Sequence, residues 1–314
     1  MDKTSVGPVL VLGGTGAQGG GVVRALLMRQ IPVRALVRDP ASVGAAQLQA
    51  LGATLAIGNF EDPASLTAAC EAAYGVFSVQ NAAGTSRDPD REKRDGANII
   101  EAAKAAGVTH MVHTSVSGAG AFHRAMPGWS DGKWSTLENY WESKAFVEDA
   151  VRNAGFSHYT IIKPAFMMEN FIPPKAAFMF PDLAARALVT ALLPTTKLAL
   201  VAADDVGNAA AAAIADPAKF SGAEIELGGD WLTMDEIATT LSAIINRQIN
   251  ASSLSPEKLI ARGQFPGWVK TQDWLNKVGY PARPQAAHAF DLQLVDFKSW
   301  AATHAEAIAM NWPG

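Results

Sequence analysis

Tyr140 and Lys144 stand four residues apart in Ser135-Thr136-Leu137-Glu138-Asn139-Tyr140-Trp141-Glu142-Ser143-Lys144, one turn apart if that stretch is helical. A phenol and an ammonium so placed can share a reaction. The cation draws the phenol's pKa down from its ordinary ~10, and the phenol then gives or takes a proton. Packing alone offers a second reading, with Lys144 snorkelling to the surface and Tyr140 an ordinary core aromatic. The other chemistry-bearing stretch is Gly13-Gly14-Thr15-Gly16-Ala17-Gln18-Gly19. Gly14 and Gly16 lack the Cβ atoms that would hold a backbone away from a pyrophosphate, and Gly19 lets a helix pack near a strand.

Both stretches need elements that aim them. An apolar run, Val9 to Leu12, stops at the glycines, and Val22, Val23, Leu26 and Leu27 beyond them recur at the spacing of one helix face. Strand, glycine turn and helix in that order turn unpaired N–H groups and a positive dipole end toward an anion. The second strand, 32–37, ends at Arg38-Asp39-Pro40, where an adenosine ribose is normally met. An acid there accepts from the 2′-OH of NAD, and an arginine pairs with the 2′-phosphate of NADP. Arg38 sits nearest the strand end, which favours NADP(H).

The alternation continues with strands at 53–57, 75–79, 109–114 and 158–163, and helices at 63–72, 91–106 and from 135 onward. The pair Ser135 and Glu138 predicts a capping box at that last helix start. Such alternation predicts an α/β fold, a Rossmann-type doubly wound parallel sheet covered on both faces. Ligands in these sheets lie beyond the carboxyl ends of the strands. Asn59, Phe60, Val79, Gln80, Asn81, Thr114, Pro164 and Phe166 therefore join Gly13, Gly14, Thr15, Gly16, Ala17, Gln18, Gly19, Arg38 and Lys144 as candidate cofactor-binding residues. Ser115 and Ser117 line the same cleft.

The segment 118–135 is long and aromatic, as lids and binding loops are. It carries Trp129 and Trp134, and His123, which reads as a surface histidine. With Phe166, Met167, Asn170 and Phe171, the two tryptophans are the candidate walls of an apolar substrate pocket. Beyond residue 165 the expected elements are a helix over 182–193, a strand at 198–201 and a helix capped by Asp205. A strand at 224–227 and helices opened by the capping box Thr233…Glu236 and by Ser255-Pro256 follow. This divides the chain into a nucleotide-binding domain, 1–164, and a smaller α/β substrate-binding domain, 165–314, interleaved with it.

Composition narrows the class. With 314 residues, 49% of them hydrophobic and 18% charged, the chain can bury a large core. A net charge of −4 gives no basic footprint for nucleic acid or an anionic membrane. No apolar run nears the ~20 residues that span a bilayer, and the first strand is too short to read as a signal peptide. Cys70 is the single cysteine, so no internal disulfide forms, in keeping with a cytoplasmic protein. Scattered histidines predict no metal site, and a serine hydrolase would need a G-x-S-x-G elbow that is missing. The partner is a small molecule, and the chain a monomer or homodimer.

The chain resembles the NmrA-like family of atypical short-chain dehydrogenases/reductases. The resemblance is carried by the glycine turn, which also fits the register Gly13-x-x-Gly16-x-x-Gly19, and by Leu36-Val37-Arg38-Asp39-Pro40 and Lys144. Lys163-Pro164-Ala165-Phe166-Met167-Met168-Glu169-Asn170-Phe171, Ala203-Asp204-Asp205-Val206-Gly207 and Asp296-Phe297-Lys298-Ser299-Trp300 add to it. The resemblance implies NADP(H) as cofactor, with Thr15 near the 2′-phosphate. Many members lack the tyrosine and act as NADP(H)-sensing regulators that bind a protein partner. The presence of Tyr140 with Lys144 is similar instead to the reductases, and implies reduction of a small, largely apolar carbonyl, imine, quinone or activated alkene. The third strand ends in Gly58-Asn59 where the family has Gly-Asp. Register puts Val116 at the superfamily's catalytic Ser/Thr, so the resemblance implies that a hydroxyl of flanking Ser115 or Ser117, Ser117 first, polarises the substrate.

Overall fold

A computed structural model describes residues 7–82 and 88–312. Strands and helices alternate through the first half: β1 (Val9–Val11), α1 (Ala17–Met28), β2 (Val33–Val37), α2 (Val43–Leu51), β3 (Thr54–Ile57), α3 (Pro63–Cys70), β4 (Gly75–Ser78) and α4 (Arg91–Ala105). Then come β5 (His110–Thr114), α5 (Ala121–Ala125), α6 (Ser135–Asn153), β6 (His158–Pro164) and β7 (Phe166–Met167). The second half continues with α7 (Lys175–Met179), β8 (Ala187–Thr190), β9 (Leu198–Val201), α8 (Ala203–Ala215), α9 (Pro217–Phe220), β10 (Ala223–Leu227), β11 (Asp230–Leu232) and α10 (Met234–Ile245). It ends with β12 (Asn250–Ser253), α11 (Pro256–Ala261), α12 (Pro266–Lys277) and three short helices.

Seven strands form one parallel sheet in the order β10-β6-β5-β4-β1-β2-β3, a doubly wound Rossmann-like arrangement. β1, β4 and β5 are buried along their whole length, because helices cover both faces. β10 and α8 come from beyond residue 165, yet β10 extends this sheet beside β6 and α8 packs on α1. A second apolar cluster gathers Trp134, Trp141, Phe166, Phe171, Trp268 and Trp274 with the smaller sheets β11-β9-β7 and β12-β8.

Glycines set the closest approaches. A Cβ on Gly19 would lie 2.3 Å from the Gly13 carbonyl oxygen, so the first turn of α1 rests directly on the turn that precedes it. A Cβ on Gly21 would meet the Ala203 carbonyl at 2.4 Å, and one on Gly207 the Gly21 carbonyl at 2.3 Å. Helices α1 and α8 thus cross backbone to backbone.

Two expectations are corrected. Residues 182–193 are not a helix: a short 3₁₀ turn over Pro181–Ala185 ends at Arg186 in the left-handed region, and β8 follows. Parallel pairing of β8 with β12 overrides local helix preference there. The helix from Ser135 has no capping box, since Ser135 already lies within α6 and Trp134 is its N-cap without a side-chain bond. The N–H groups of Ser135 and Leu137 donate instead to the carbonyls of Gly132 and Trp134, so the preceding turn does the work of a cap. Thr233 and Glu236 do form their box, and the Asp205 carboxylate accepts from the Ala202 N–H at the start of α8.

Gly207→Ala should lower unfolding free energy by about 1–3 kcal/mol through the α1–α8 contact, read by urea denaturation. An unchanged midpoint would mean that the helices are not held at this distance.

Candidate functional site

The glycine turn opens at the carboxyl end of β1. Gly13 adopts φ +64, a left-handed conformation that glycine takes without strain, and a Cβ there would meet Val79 at 2.8 Å. Gly16 is the N-cap of α1 and has no side chain to satisfy the first N–H groups of the helix, which leaves them for an anion. Thr15 and Gly16 are exposed, while Gly14 and Gly19 are buried. Thr114 donates its hydroxyl to Gln18 Oε1 at 2.7 Å, tying the end of β5 to the start of α1.

At the end of β2 the mixed signal separates. The Asp39 carboxylate turns back to accept the Ala41 N–H at 2.8 Å. Arg38 is exposed and has no acidic partner among the described residues. Asn59 Oδ1 accepts from Glu61 N–H in its own turn at 2.8 Å, and Phe60 is held through its carbonyl by Asn98. Gln80 is buried, with its amide donating to Ser78 Oγ at 2.7 Å, and Asn81 is exposed. A cradle that no Cβ could share, free helix N–H groups and an unpaired guanidinium fit a phosphorylated dinucleotide.

On α6, Lys144 is buried and its ammonium meets Glu92 Oε1 at 2.7 Å, with Glu92 only 1% exposed. Its Nζ lies 6.0 Å from the centre of the Tyr140 ring. The expected lowering of the phenol pKa is therefore corrected. Burial, with the Glu92 carboxylate behind it, pushes Tyr140 upward, because the carboxylate answers the ammonium that was to tune the phenol. Tyr140 remains a neutral, half-buried phenol.

Ser115 and Ser117 are not free hydroxyls. Ser115 is buried and donates to Glu148 Oε1 at 2.6 Å. Ser117 is fully buried, accepts the Ala282 N–H at 3.2 Å and faces the Glu226 carboxylate. Glu148 and Glu224 receive Lys163 at 3.1 and 2.6 Å, and Arg152 bridges the same two acids. Lys163 also donates to the Ala119 carbonyl, so this charge cluster anchors the loop after β5. Val116 points into the aromatic cluster.

The candidate substrate walls divide. Trp134, Phe166 and Phe171 are sealed in the core, Phe166 stacking on Trp268 at 5.3 Å and Phe171 on Phe180 at 4.8 Å. Pro164 is buried at the end of β6. Trp129, Met167 and Asn170 keep partial exposure. His123 is not a surface residue: it is fully buried, bonds Glu142 Oε1 at 3.1 Å and abuts Trp129 edge-on at 4.6 Å. Segment 118–135 is packed down rather than hanging open, with Trp274 donating to Met126 Sδ.

The sequence reading did not single out Glu92, which meets Lys144 from the first turn of α4. A cavity of about 370 Å³ lies elsewhere, lined by Asp204, Asp205, Asn208, Trp300, Thr303 and His304; it shares no residue with the candidates above. Burial there lifts the Asp205 carboxyl to about 7.

This is a Rossmann-like α/β fold with its glycine turn and strand ends gathered at one edge. The model of the NmrA-like family matches residues 6–272, and the chain belongs to that family. An NAD(P)H azoreductase of Xenophilus azovorans is 30% identical over 256 residues, 80% of this chain and 78% of its own. An NADPH-dependent quinone oxidoreductase of Escherichia coli, solved with NADPH, has a TM-score of 0.73 over 94% of this chain and 99% of its own, at 23% identity. NmrA, a negative transcriptional regulator solved with NADP, has a TM-score of 0.70 over 94% of each chain at 19% identity.

His113, buried beneath Lys144, is pushed down to about 3 by burial and then by that ammonium, and burial takes His110 to about 4. Their folded-state values lie below the ordinary 6.5, so the unfolded chain takes up protons first. Their contribution is complete above pH ~6.5 and is lost as pH falls toward ~3–4. Urea unfolding across that window should weaken, and His113→Gln should flatten the slope; an unchanged slope would contradict a neutral buried His113.

Proposed function

We propose that the protein is an NADPH-dependent reductase of a small, largely apolar acceptor, and that Arg38, exposed beside the glycine turn and without an acidic partner among the described residues, selects the phosphorylated cofactor. That arginine carries the reading. The N–H groups at the start of α1 and the Gly13–Gly19 backbone would hold the pyrophosphate, Arg38 and Thr15 the 2′-phosphate, and Val79, Asn81, Thr114 and Pro164 the rest of the molecule. Bound there, NADPH supplies a hydride.

Tyr140 supplies the matching proton. Burial holds its proton on, so the phenol enters the reaction protonated and gives that proton up as charge grows on the acceptor. The proton passes from the phenol to the acceptor atom that gains negative charge as hydride arrives elsewhere on the acceptor, and solvent reprotonates the phenolate. Lys144, joined to Glu92, positions the helix face that carries Tyr140 and offers its remaining N–H donors to ribose hydroxyls. The names of the azoreductase and the quinone oxidoreductase support an acceptor of this kind. A regulator that only senses the cofactor is the competing outcome.

Arg38→Ala should weaken NADPH binding roughly ten- to a hundredfold while leaving NADH nearly unchanged, as loss of a charge-assisted contact implies. Equal losses in a fluorescence titration would undo the cofactor assignment. Tyr140→Phe should keep NADPH binding and lower turnover about 10²- to 10⁴-fold. Undiminished turnover would remove Tyr140 as donor, and no NADPH consumption by the native protein with carbonyls, imines, enones, azo compounds or quinones would favour the regulator.

A further inference from the structure

An acceptor protonated by Tyr140 must be held by a second polar group, and the nearby hydroxyls at the end of β5 are committed. Thr114 donates to Gln18 and Ser115 to Glu148, while Ser117 is closed between Ala282 and Glu226. One hydroxyl-bearing side chain reaches this place from the far end of the sequence. The Ala282 N–H that bonds Ser117 draws the segment after α12 onto the loop following β5, where Pro281 lies against Gly118. Arg283 secures the segment, donating to the carbonyls of Tyr280 and Ala282 at 2.6 and 2.7 Å while its guanidinium sits 4.2 Å from the Trp231 ring.

Tyr280 is thereby fixed edge-on to Trp274 at 5.3 Å. Trp274 lies 5.0 Å from Trp141, and Trp141 5.6 Å from Tyr140. The two phenols end one aromatic wall, close enough to feel each other's charge. Both are half-buried, and neither hydroxyl has a hydrogen-bond partner among the described residues. Trp141 and Trp274 are sealed between them, so the half-buried rings of Tyr140 and Tyr280 are themselves the flat, donor-bearing surfaces. They match a planar acceptor that presents an oxygen, the chemistry of a quinone.

We propose that Tyr280 is a second substrate-binding phenol, donating a hydrogen bond to the acceptor oxygen of a quinone that Tyr140 protonates. This rests on the reductase reading above. Hydride from reduced nicotinamide and one proton from Tyr140 together bring the quinone its two electrons and two hydrogens, giving the hydroquinone, and solvent returns the proton to the Tyr140 phenolate. Tyr280 keeps its own proton and steadies the charge that grows on oxygen.

The test compares the native chain with Tyr280→Phe and Tyr140→Phe, using 1,4-naphthoquinone and NADPH. Three readouts are taken: NADPH binding by fluorescence, quinone binding to the cofactor-free protein by tryptophan quenching, and steady-state reduction. Tyr280→Phe should bind NADPH within about twofold of native, bind the quinone more weakly, and lose roughly tenfold or more in kcat/KM, the scale of one hydrogen bond made to a developing charge. Native quinone binding and kcat/KM in Tyr280→Phe, with Tyr140→Phe inactive, would overturn this proposal and leave the reductase intact. A native protein that reduces neither the quinone nor any other acceptor would overturn the reductase reading, and this proposal with it.

Discussion

The structure depends on how closely helix α1 is allowed to lie. On one side Gly19 rests on the carbonyl of Gly13, and on the other Gly21 and Gly207 bring α1 and α8 into backbone contact with no room for a Cβ. These contacts fix the direction of α1 and so the direction in which its first N–H groups point. They also make α8 part of the nucleotide-binding layer although it follows residue 200 in sequence. A wider helix separation would carry the anion cradle away from the carboxyl ends of β1, β2 and β4, where Arg38 and Val79 stand.

Charge is arranged on the opposite face of the sheet, beneath α6. Glu92 meets Lys144, and Glu148 and Glu224 meet Lys163 and Arg152. Ion pairs buried to this degree contribute little net stability but penalise any rearrangement that would separate them. They hold the loop after β5 and the Tyr140 face of α6 in one geometry. The phenol is consequently governed by what surrounds it: hydrocarbon and a carboxylate keep its proton on, and the lysine one turn away is answered by an acid.

Much of the sheet was legible because its strands are short, mainly apolar runs set between helices of regular length, and because the glycine turn has only one sensible neighbour on each side. Ser255 capping α11 and the box of Thr233 with Glu236 follow from residue type and position alone. What could not be read depends on contacts far apart in sequence. The stretch 182–193 looked helical until β12 paired with β8, and His123 looked exposed until Trp129 and Glu142 enclosed it. Phe166 and Phe171 looked like pocket walls, since an apolar side chain does not announce whether its neighbour will be a ligand or another ring. Ser115 and Ser117 contact acids on α6 and β10, partners that no local pattern reveals.

The central claim, a phosphorylated dinucleotide lying on the glycine turn with its reactive ring beside Tyr140, is tested most directly by a crystal structure of the protein with NADPH. The account predicts the pyrophosphate against the first turn of α1, the 2′-phosphate on Arg38 and the nicotinamide within reach of the Tyr140 hydroxyl. A cofactor bound away from the glycine turn, or a nicotinamide remote from that phenol, would contradict it.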